Sequence, residues 1–480
     1  MPARTPPTVR NRRPVRTGRP TRASQPTGAR RPPRRTPAPR RARYRAWIRR
    51  RRGVLALALL LALVAVTVLA VQVPRTGPAV VTGVMPGSFT GYAFDTCEAP
   101  SQRQMDAWHE HSPYAAVGVY IAGENRACPR QRHLDATWVA TQAARGWRLL
   151  PLSVGRQAPC STSTRWSKID PSPGHGYETA RGQGRGEATD AAAAARDLGI
   201  ARGSTLWLDM EAFDISRARC RDATLAYVSS WTRAVRGSGY RSGFYSSAAS
   251  GIRMLERARR AAPGRDDLPD QIWVGEWNHH HDTGSAYLSR DGWFGGRVHQ
   301  YAGTHPETYG GVTLGIDSNF MTVGRGTVAP PDRTPCPTPR VYPTLRDGDR
   351  SPGVAVLQCL LEGRRLVRHD TSARYWSGTA RSVTGFQRST GLRATGVTDR
   401  PTWVALLSRG SQPLLKYGSG GEAVRRLQRA LTAAGSAELS VTGVFEARTR
   451  DAVSRYQHAH GLPATGVVTA DVWKLLQTGR

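Results

Sequence analysis

The sequence predicts an α/β protein with a (β/α)8 TIM-like barrel followed by two small all-α three-helix modules. A disordered tail and one transmembrane helix are expected before the barrel. Three observations predict this: eight short apolar runs alternate with helix-like stretches, a repeat of constant offset follows a proline-rich segment, and an Arg/Pro-rich tail precedes an uncharged apolar run. The expected divisions are tail 1–52, transmembrane helix 53–73, barrel 88–325, linker 326–343, and modules 344–410 and 411–480.

The positive charge of the 480-residue chain is concentrated at its start. The chain holds 69 Lys and Arg against 35 Asp and Glu, yet residues 1–52 contain 19 Arg, 10 Pro and no acidic residue. Such a segment buries too little apolar surface to offset its ordering entropy, so we expect it to be disordered. The charge therefore describes a tail and not a folded nucleic-acid-binding surface. A nucleic-acid role for the tail is the weaker alternative, because attraction to anionic lipid explains a basic segment beside a membrane.

The apolar run 53–73 has the length of a membrane span. It contains no charged residue, and about 20 residues at 1.5 Å rise cross a hydrocarbon core of roughly 30 Å. Arg49 to Arg52 precede it and Arg75 stands alone beyond it, which places the tail in the cytoplasm and the rest outside. A retained single-pass signal anchor is the expectation. A cleaved signal is the alternative, because residues 51–55 resemble a twin-arginine export signal and 68–70 are suited to cleavage.

Six cysteines all follow the apolar run, and an even count in an exported segment indicates disulfides. Proximity of segments favours the pairs Cys97–Cys128, Cys160–Cys220 and Cys336–Cys359. No C-x-x-C spacing occurs, so we expect no metal site and no cofactor. The run His279-His280-His281 predicts a solvated loop, because adjacent histidines do not share one face.

Eight candidate strands define the predicted barrel. The last two connections are too short for full helices, which indicates a degenerate barrel. Barrel chemistry lies at the carboxyl ends of strands, and three predicted strands carry acids there: Asp95, the pair Asp209 and Glu211, and Asp317. Residues i and i+2 of a strand face one side, so Asp209 and Glu211 are expected to face the barrel mouth. Helix capping or arginine pairing is the alternative reading of these acids. The strands are expected at 91–95, 116–121, 148–154, 205–210, 241–245, 271–276, 297–301 and 314–320.

These strand segments resemble family 25 glycoside hydrolases, the muramidases, and more closely a related glycoside-hydrolase-like domain of exported bacterial proteins. The resemblance implies Glu211 as proton donor and Asp209 as the residue that orients the substrate N-acetyl group or stabilises charge. Asp95 and Asp317 would be further active-site acids. The matching segments are 91–97, 206–211, 243–246, 273–277, 299–301 and 315–320. Aromatic residues in these segments are the candidate substrate-binding residues, although core packing competes for them: Trp207, Tyr245, Trp273, Trp277 and Tyr301.

The repeat after the proline-rich segment has a constant offset of 70 positions. Val354, Leu357-Gln358, Phe386-Gln387 and Trp403 recur as Val424, Leu427-Gln428, Tyr456-Gln457 and Trp473. Apolar residues at helical spacing predict three short helices in each unit. The pattern G-x-x-V-x-x-L-Q, then T-G-x-F, then F-Q-x-x-x-G-L-x-x-T-G resembles peptidoglycan-binding domain type 1. The first unit departs from it where T-G-x-F becomes Ser372-Ala373-Arg374-Tyr375.

Together the resemblances imply an exported, wall-associated protein that binds peptidoglycan and cleaves its β-1,4 glycan bonds. Residues after the apolar run would lie outside the cell or in the wall. The principal alternative is a non-catalytic peptidoglycan-binding envelope protein with an inactive barrel. An amidase or peptidase is disfavoured, because neither a zinc ligand set nor a Cys/His pair emerges from the sequence. The sequence leaves the oligomeric state open.

Overall fold

The computed structural model describes residues 83–265, 267–333, 336–366 and 372–480. The predicted tail and the predicted membrane span at 53–73 lie outside these ranges. Within them, every helix is too short or too polar to cross a membrane.

Eight strands close a barrel in chain order, which confirms the predicted fold class. Each predicted run is a strand, with ends that differ by a few residues, except that the seventh strand continues to Tyr309, well beyond its expected end at 301. The strands are β1 (Phe89–Asp95), β2 (Ala116–Ala122), β3 (Arg148–Ser153), β4 (Thr205–Asp209), β5 (Arg241–Ser247), β6 (Gln271–Gly275), β7 (Gly296–Tyr309) and β8 (Val312–Val323).

Five α-helices connect the first six strands. A π-helical turn at Ala248–Ile252 directly precedes the fifth helix. The first turn of the third helix is interrupted where His175, Gly176 and Tyr177 take positive φ angles. The helices are α1 (Gln102–His111), α2 (Ala136–Ala144), α3 (Gly174–Asp197), α4 (Ala218–Gly237) and α5 (Arg253–Ala261).

The eighth strand departs from a regular (β/α)8 barrel. Strands β1 to β7 pair in parallel, whereas β8 is antiparallel to both β7 and β1. The β7–β8 connection is a hairpin that turns at Gly310 and Gly311, whose φ angles of 59° and 74° suit glycine. The connection between β6 and β7 contains no helix either. The expectation of a degenerate barrel is therefore met, but the antiparallel direction of β8 was not foreseen.

The barrel has an inner and an outer core. The inner one fills the barrel with side chains such as Phe89, Trp207, Trp273 and Met321, all with no exposed surface. Gly243 leaves room for Trp207, since a Cβ atom there would lie 2.4 Å from the indole. The outer core lies between the strands and the surrounding helices, with Trp108, Trp231 and Leu255 among its members. The barrel interior is thus packed, so a ligand can enter only at its mouth.

The C-terminal repeat forms two three-helix modules with one shared apolar core. Equivalent tryptophans fix the segment that leads into each module. Trp403 Nε1 donates to the Pro343 carbonyl at 2.7 Å, and Trp473 Nε1 donates to the Pro413 carbonyl at 2.8 Å. Tyr375 is fully buried in module 1 at the repeat position of Phe445, so the departure from T-G-x-F preserves the core. Module 1 contains α6 (Pro352–Glu362), α7 (Ser377–Ser389) and α8 (Arg400–Ser408), and module 2 contains α9 (Glu422–Ala433), α10 (Ala447–Ala459) and α11 (Ala470–Gln477).

Module 2 packs on the barrel through a buried lysine. Lys416 is 5% exposed. Its Nζ donates to the carbonyl oxygens of His109, Ser112 and Tyr114 at 2.5, 2.9 and 3.0 Å. His109 belongs to the last turn of α1, where a cation is favourable because the helix dipole leaves negative partial charge on the final carbonyls. Burial lowers the pKa of Lys416 to about 7.

The same module also contacts the outer face of β1 and β8. The Tyr417 ring lies 5.3 Å from the Tyr92 ring and 5.6 Å from the Phe320 ring, in edge-to-face arrangements. Arg450 Nη1 donates to the Tyr92 hydroxyl at 2.8 Å. Module 2 thus covers part of the barrel wall beside β8, the strand that has no crossover helix before it.

Three disulfides join the six cysteines, which confirms the prediction of disulfides. The pairs are Cys97–Cys128, Cys160–Cys220 and Cys336–Cys359, as the proximity of segments suggested. The first two fasten loops at the barrel, and the third fastens the proline-rich segment to α6.

Candidate active site

Four carboxyl groups from three strand regions meet in one cavity at the barrel mouth. The cavity has a volume of about 270 Å³ and is lined by Asp95, Asp209, Glu211 and Asp317. We call it the acid cavity. The structure therefore brings together all four acids that the sequence analysis selected, although their roles are not thereby established.

Asp95 ends β1 and lies at the base of the acid cavity. Its Oδ1 accepts from Asn319 Nδ2 at 2.7 Å, and Gln300 Nε2 lies 3.4 Å from both of its carboxylate oxygens. Trp273 Nε1 donates to Asn319 Oδ1 at 2.7 Å, which fixes the amide that holds Asp95. Gly118 is required beside it, because a Cβ atom there would lie 2.6 Å from the Asp95 Cβ.

Asp209 and Glu211 both reach the cavity from the end of β4. Strand β4 ends at Asp209, so Glu211 lies one residue beyond the regular strand. Gln157 holds this extension: its Nε2 donates to the Asp209 carbonyl at 3.0 Å, and its Oε1 accepts from the Glu211 amide at 2.8 Å. The Asp209 side chain is buried, and its Oδ1 has no hydrogen-bond partner among the described residues.

Asp317 reaches the cavity in a different way from the one expected. It lies in the middle of β8 and pairs with Asp95 across the antiparallel β1–β8 ladder. The eighth strand was expected to run as in a regular (β/α)8 barrel, whereas β8 is antiparallel to its neighbours and enters the barrel from the mouth. Asp317 Oδ1 accepts from Thr304 Oγ1 at 2.7 Å, and Oδ2 accepts from Gln300 Nε2 at 3.2 Å.

The electrostatics of the cavity favour protonated carboxyls. Burial, and after it the charge of Asp317, raises the pKa of Asp95 to about 8, against the opposing effect of its two amide donors. Burial and then the charges of Glu211, Asp95 and Asp317 raise the pKa of Asp209 well above its usual range. Burial followed by Asp317 raises the pKa of Glu211, and burial raises that of Asp317. Some of these groups therefore keep a proton near neutral pH, which general acid catalysis requires.

Two of the candidate substrate-binding aromatics belong to the core instead. Trp207 and Trp273 have no exposed surface and pack edge to face inside the barrel, with ring centroids 5.5 Å apart. The alternation that directs Asp209 to the mouth places Trp207 one layer below it. Neither indole offers a face to a sugar, so these two assignments are corrected. Tyr245 lies under the acids, where its hydroxyl donates to Gln300 Oε1 at 2.9 Å.

The other two candidates, Trp277 and Tyr301, line a second cavity beside the first. Trp277 is 66% exposed, and its Nε1 donates to Gln300 Oε1 at 3.0 Å. Tyr301 is buried to 7% exposure and stacks near His281. This second cavity, of about 940 Å³, lies between the β7–β8 hairpin, residues 277–281 and module 2. We call it the hairpin cleft, and Thr304 borders both cavities.

Several site residues escaped the sequence analysis. Gln300 and Asn319 lie in segments matched by the resemblance. They were not selected, because an amide side chain does not by itself indicate acid–base chemistry as a carboxylate does. Trp166 and Tyr120 line the acid cavity, and Asn125 fixes the Trp166 loop by donating to the Ser167 carbonyl at 3.0 Å. Trp166 lies in a long loop, where no strand pattern marks it as a site residue.

The histidine run at 279–281 borders the hairpin cleft. All three histidines are exposed and lie outside helices and strands, as expected of a solvated loop, and the His281 ring lies 5.6 Å from the Tyr92 ring. Among the described residues, no group of three or more His, Cys, Asp or Glu side chains has the geometry of a metal site.

The closed barrel carries clustered acids at its mouth and is followed by two three-helix modules. Residues 106–321 match the Rv2525c-like, glycoside hydrolase-like domain family, and residues 420–476 match peptidoglycan-binding domain type 1. The protein therefore contains a glycoside hydrolase-like domain followed by a peptidoglycan-binding domain. None of the curated proteins matches the chain.

Solved structures resemble about half of the chain at low identity. They include an uncharacterised B. stearothermophilus protein (17% identity, 49% of this chain and 96% of that chain, TM-score 0.31). The Mycobacterium tuberculosis Tat-secreted protein Rv2525c in complex with L-tartrate is 12% identical, the match covers 49% of this chain and 97% of that chain, and the TM-score is 0.34. The Clostridium perfringens spore cortex lytic enzyme SleM is 10% identical, the match covers 48% of this chain and 67% of that chain, and the TM-score is 0.31. TM-scores this low support no inference about activity.

Proposed function

We propose that the barrel hydrolyses the β-1,4 bond after N-acetylmuramic acid in peptidoglycan, while the modules hold the protein on the wall. The observation that carries the proposal is the convergence of Glu211, Asp209, Asp95 and Asp317 in one open cavity. Paired carboxyls with separated pKa values are the equipment of glycosidic cleavage.

Glu211 is the proposed proton donor. Its side chain is exposed to the cavity while its pKa is raised, so it can carry a proton to the leaving oxygen. Asp209 is the proposed partner of the substrate N-acetyl group. Its side chain lines the acid cavity, where a carboxyl oxygen can accept an acetamide N–H, and its buried Oδ1 has no hydrogen-bond partner among the described residues. Asp95 and Asp317 complete the cavity as further acids.

The modules support a wall-bound protein. The peptidoglycan-binding match, residues 420–476, lies within module 2, and the two modules repeat the same fold on one chain. Two linked binding units raise affinity without new contacts, because the second binding event becomes intramolecular. We further propose a location outside the cytosol, supported by three disulfides, with residues 53–73 as anchor or cleaved signal.

Digestion of purified wall tests the hydrolase. The full chain is expected to release fragments with new reducing ends, and Glu211→Gln is expected to lower that rate by a factor of about 100 or more. The matched control is Glu98→Gln, which removes an exposed carboxyl of the loop after β1 and is expected to keep the wild-type rate.

The products decide between functions. New free amines in place of reducing ends would identify a peptidase or amidase. Wall binding without any released fragment, unchanged by Glu211→Gln, would favour the non-catalytic binding protein.

A further inference from the structure

The hairpin cleft is built from two parts of the chain that are distant in sequence. The barrel contributes the β7–β8 hairpin and residues 277–281, and module 2 contributes Arg450 and Thr465. Its volume of about 940 Å³ lies in the range of cavities that enclose a ligand of several residues or rings. Because Thr304 lines both cavities, a branched ligand could occupy the acid cavity and the hairpin cleft together.

The docking that creates this cleft is particular to module 2. Lys416, Tyr417 and Arg450 contact the barrel, and the repeat places Arg346, Asp347 and Ala380 at the same positions of module 1. Arg346 and Asp347 are exposed, whereas Lys416 is buried. The residues that hold module 2 against the hairpin are therefore not part of the common module fold.

One side of the cleft carries an incompletely satisfied carboxyl. Glu307 Oε1 accepts from the Tyr114 hydroxyl at 2.8 Å, from His305 Nε2 at 2.9 Å and from Ser318 Oγ at 3.2 Å. Its Oε2 has no hydrogen-bond partner among the described residues. The Glu307 carboxylate lines the cleft and is the acceptor on this side for an ammonium or amide N–H of a ligand.

The other side of the cleft carries a cation, and aromatic rings form the walls. Arg450 is half-buried, donates to the Tyr92 hydroxyl and pairs with Asp451 at 2.9 Å. Trp277, Tyr301 and the Tyr92 ring supply apolar faces between the charges. A neutral sugar makes no use of separated charges, whereas a peptide bearing both carboxylate and amino groups does.

We propose that the hairpin cleft binds the stem peptide of the same peptidoglycan unit whose sugar occupies the acid cavity. The inference rests on the proposed function, because it takes the acid cavity as the sugar site. Four crowded carboxyls would repel a peptide carboxylate, so the charged branch is directed past Thr304 toward Arg450. Module 2 thereby supplies part of the substrate site and does more than tether the enzyme.

Titration calorimetry on the full chain carrying Glu211→Gln, which is used to prevent turnover, tests the assignment. The ligands are a disaccharide-peptide fragment of the wall, the same disaccharide with its peptide removed, and the released peptide. The fragment with its peptide is expected to bind at least about tenfold more tightly than the bare disaccharide. Adding Glu307→Gln is expected to lower that ratio by about tenfold, and Glu438→Gln, an exposed carboxyl outside the cleft, is the control.

Equal affinity for the two disaccharide ligands would overturn the proposal, and so would a ratio unchanged by Glu307→Gln. If thermal melting shows that Glu307→Gln is unfolded, the same affinity ratio is measured with Arg450→Ala, on the other side of the cleft. Alanine is chosen because module 1 has alanine at the equivalent position. Failure of hydrolysis would appear separately, as wall digestion without new reducing ends. Binding of the released peptide by a chain that cleaves nothing would keep the cleft and reject the hydrolase.

Discussion

The acid cavity and the two modules both bury polar side chains, but they satisfy them differently. In the modules, Gln387 and Gln457 each donate to a valine carbonyl at 2.8 Å and accept from a glycine amide at 2.9 Å in the following turn. In the cavity, Asp209 leaves one oxygen unpartnered among the described residues, and four acids oppose one another. Motif glutamines therefore maintain the fold, whereas unsatisfied carboxyls are the groups available to a substrate.

The largest expected effect is a loss of stability when a buried, fully hydrogen-bonded glutamine of module 2 is replaced. Gln457→Leu leaves the Val467 carbonyl and the Gly466 amide unpaired inside module 2, so we expect a loss of about 3 kcal/mol in the free energy of unfolding. Urea unfolding followed by tryptophan fluorescence measures it. Gln412→Leu, at an exposed glutamine of the same module, is the control, and a similar loss there would show that the buried contacts do not matter.

The next largest expected effect is the loss of stability when the buried Lys416 is replaced. Lys416→Met leaves three backbone carbonyls of the barrel without their donor, so we expect a loss of about 2 kcal/mol and earlier proteolysis between barrel and module 2. Arg346→Met makes the corresponding change at an exposed position of module 1 and is expected to cost less than about 0.5 kcal/mol. Equal losses would contradict the docking role of Lys416.

Replacing an unpartnered carboxyl of the acid cavity is expected to raise the stability of the protein instead of lowering it. The pKa of Asp209 is raised in the folded protein, so its carboxyl costs no stability while it is protonated at low pH, and costs progressively more as pH rises above its ordinary value of 3.8. Asp209→Asn is therefore expected to stabilise the barrel by about 1 kcal/mol or more at pH 8, and by almost nothing at pH 4. The groups that face Asp209 are Glu211, Asp95, Asp317, Tyr120 and Tyr245.

Melting temperatures across this pH range measure the difference between Asp209→Asn and the wild type. Asp197→Asn, at an exposed position that ends α3, is the control. A stabilisation by Asp209→Asn that is constant with pH would reject the electrostatic explanation.

The smallest expected effect concerns the contact between module 2 and Tyr92. Arg450→Ala introduces the residue of module 1, removes one partly exposed hydrogen bond, and is expected to cost about 0.5 kcal/mol. Ala380→Arg makes the reverse exchange in module 1 and should change the free energy of unfolding less. A larger cost for the reverse exchange would mean that the two positions are not equivalent.

Much of the fold and the acid set could be predicted from the sequence. Strand runs have period-two and apolar patterns that depend on local composition alone, and Asp95, Asp209 and Glu211 directly follow such runs. The 70-residue repeat identifies paired modules without any structural information. These signals are local or periodic, so they are available before folding.

The rest depends on direction and on distant contacts. A strand pattern does not state which way the strand runs, so the antiparallel direction of β8, and with it the route by which Asp317 reaches the mouth, could not be predicted. Trp207 looks the same in sequence whether it faces sugar or core, and only closure of the barrel decides. The contacts of Lys416 with α1 join residues about 300 positions apart, and no pattern in either segment announces them.

The reversed eighth strand also determines at which end of the barrel the chain enters and leaves. Phe89 at the start of β1 pairs with Val323 at the end of β8, so the chain enters and leaves the barrel at the same floor. A parallel last strand would instead have delivered the following segment beside the acids. The segments that enter and leave the barrel therefore do not cover the acids, and module 2 reaches the mouth only at its edge, where Arg450 and Thr465 line the hairpin cleft.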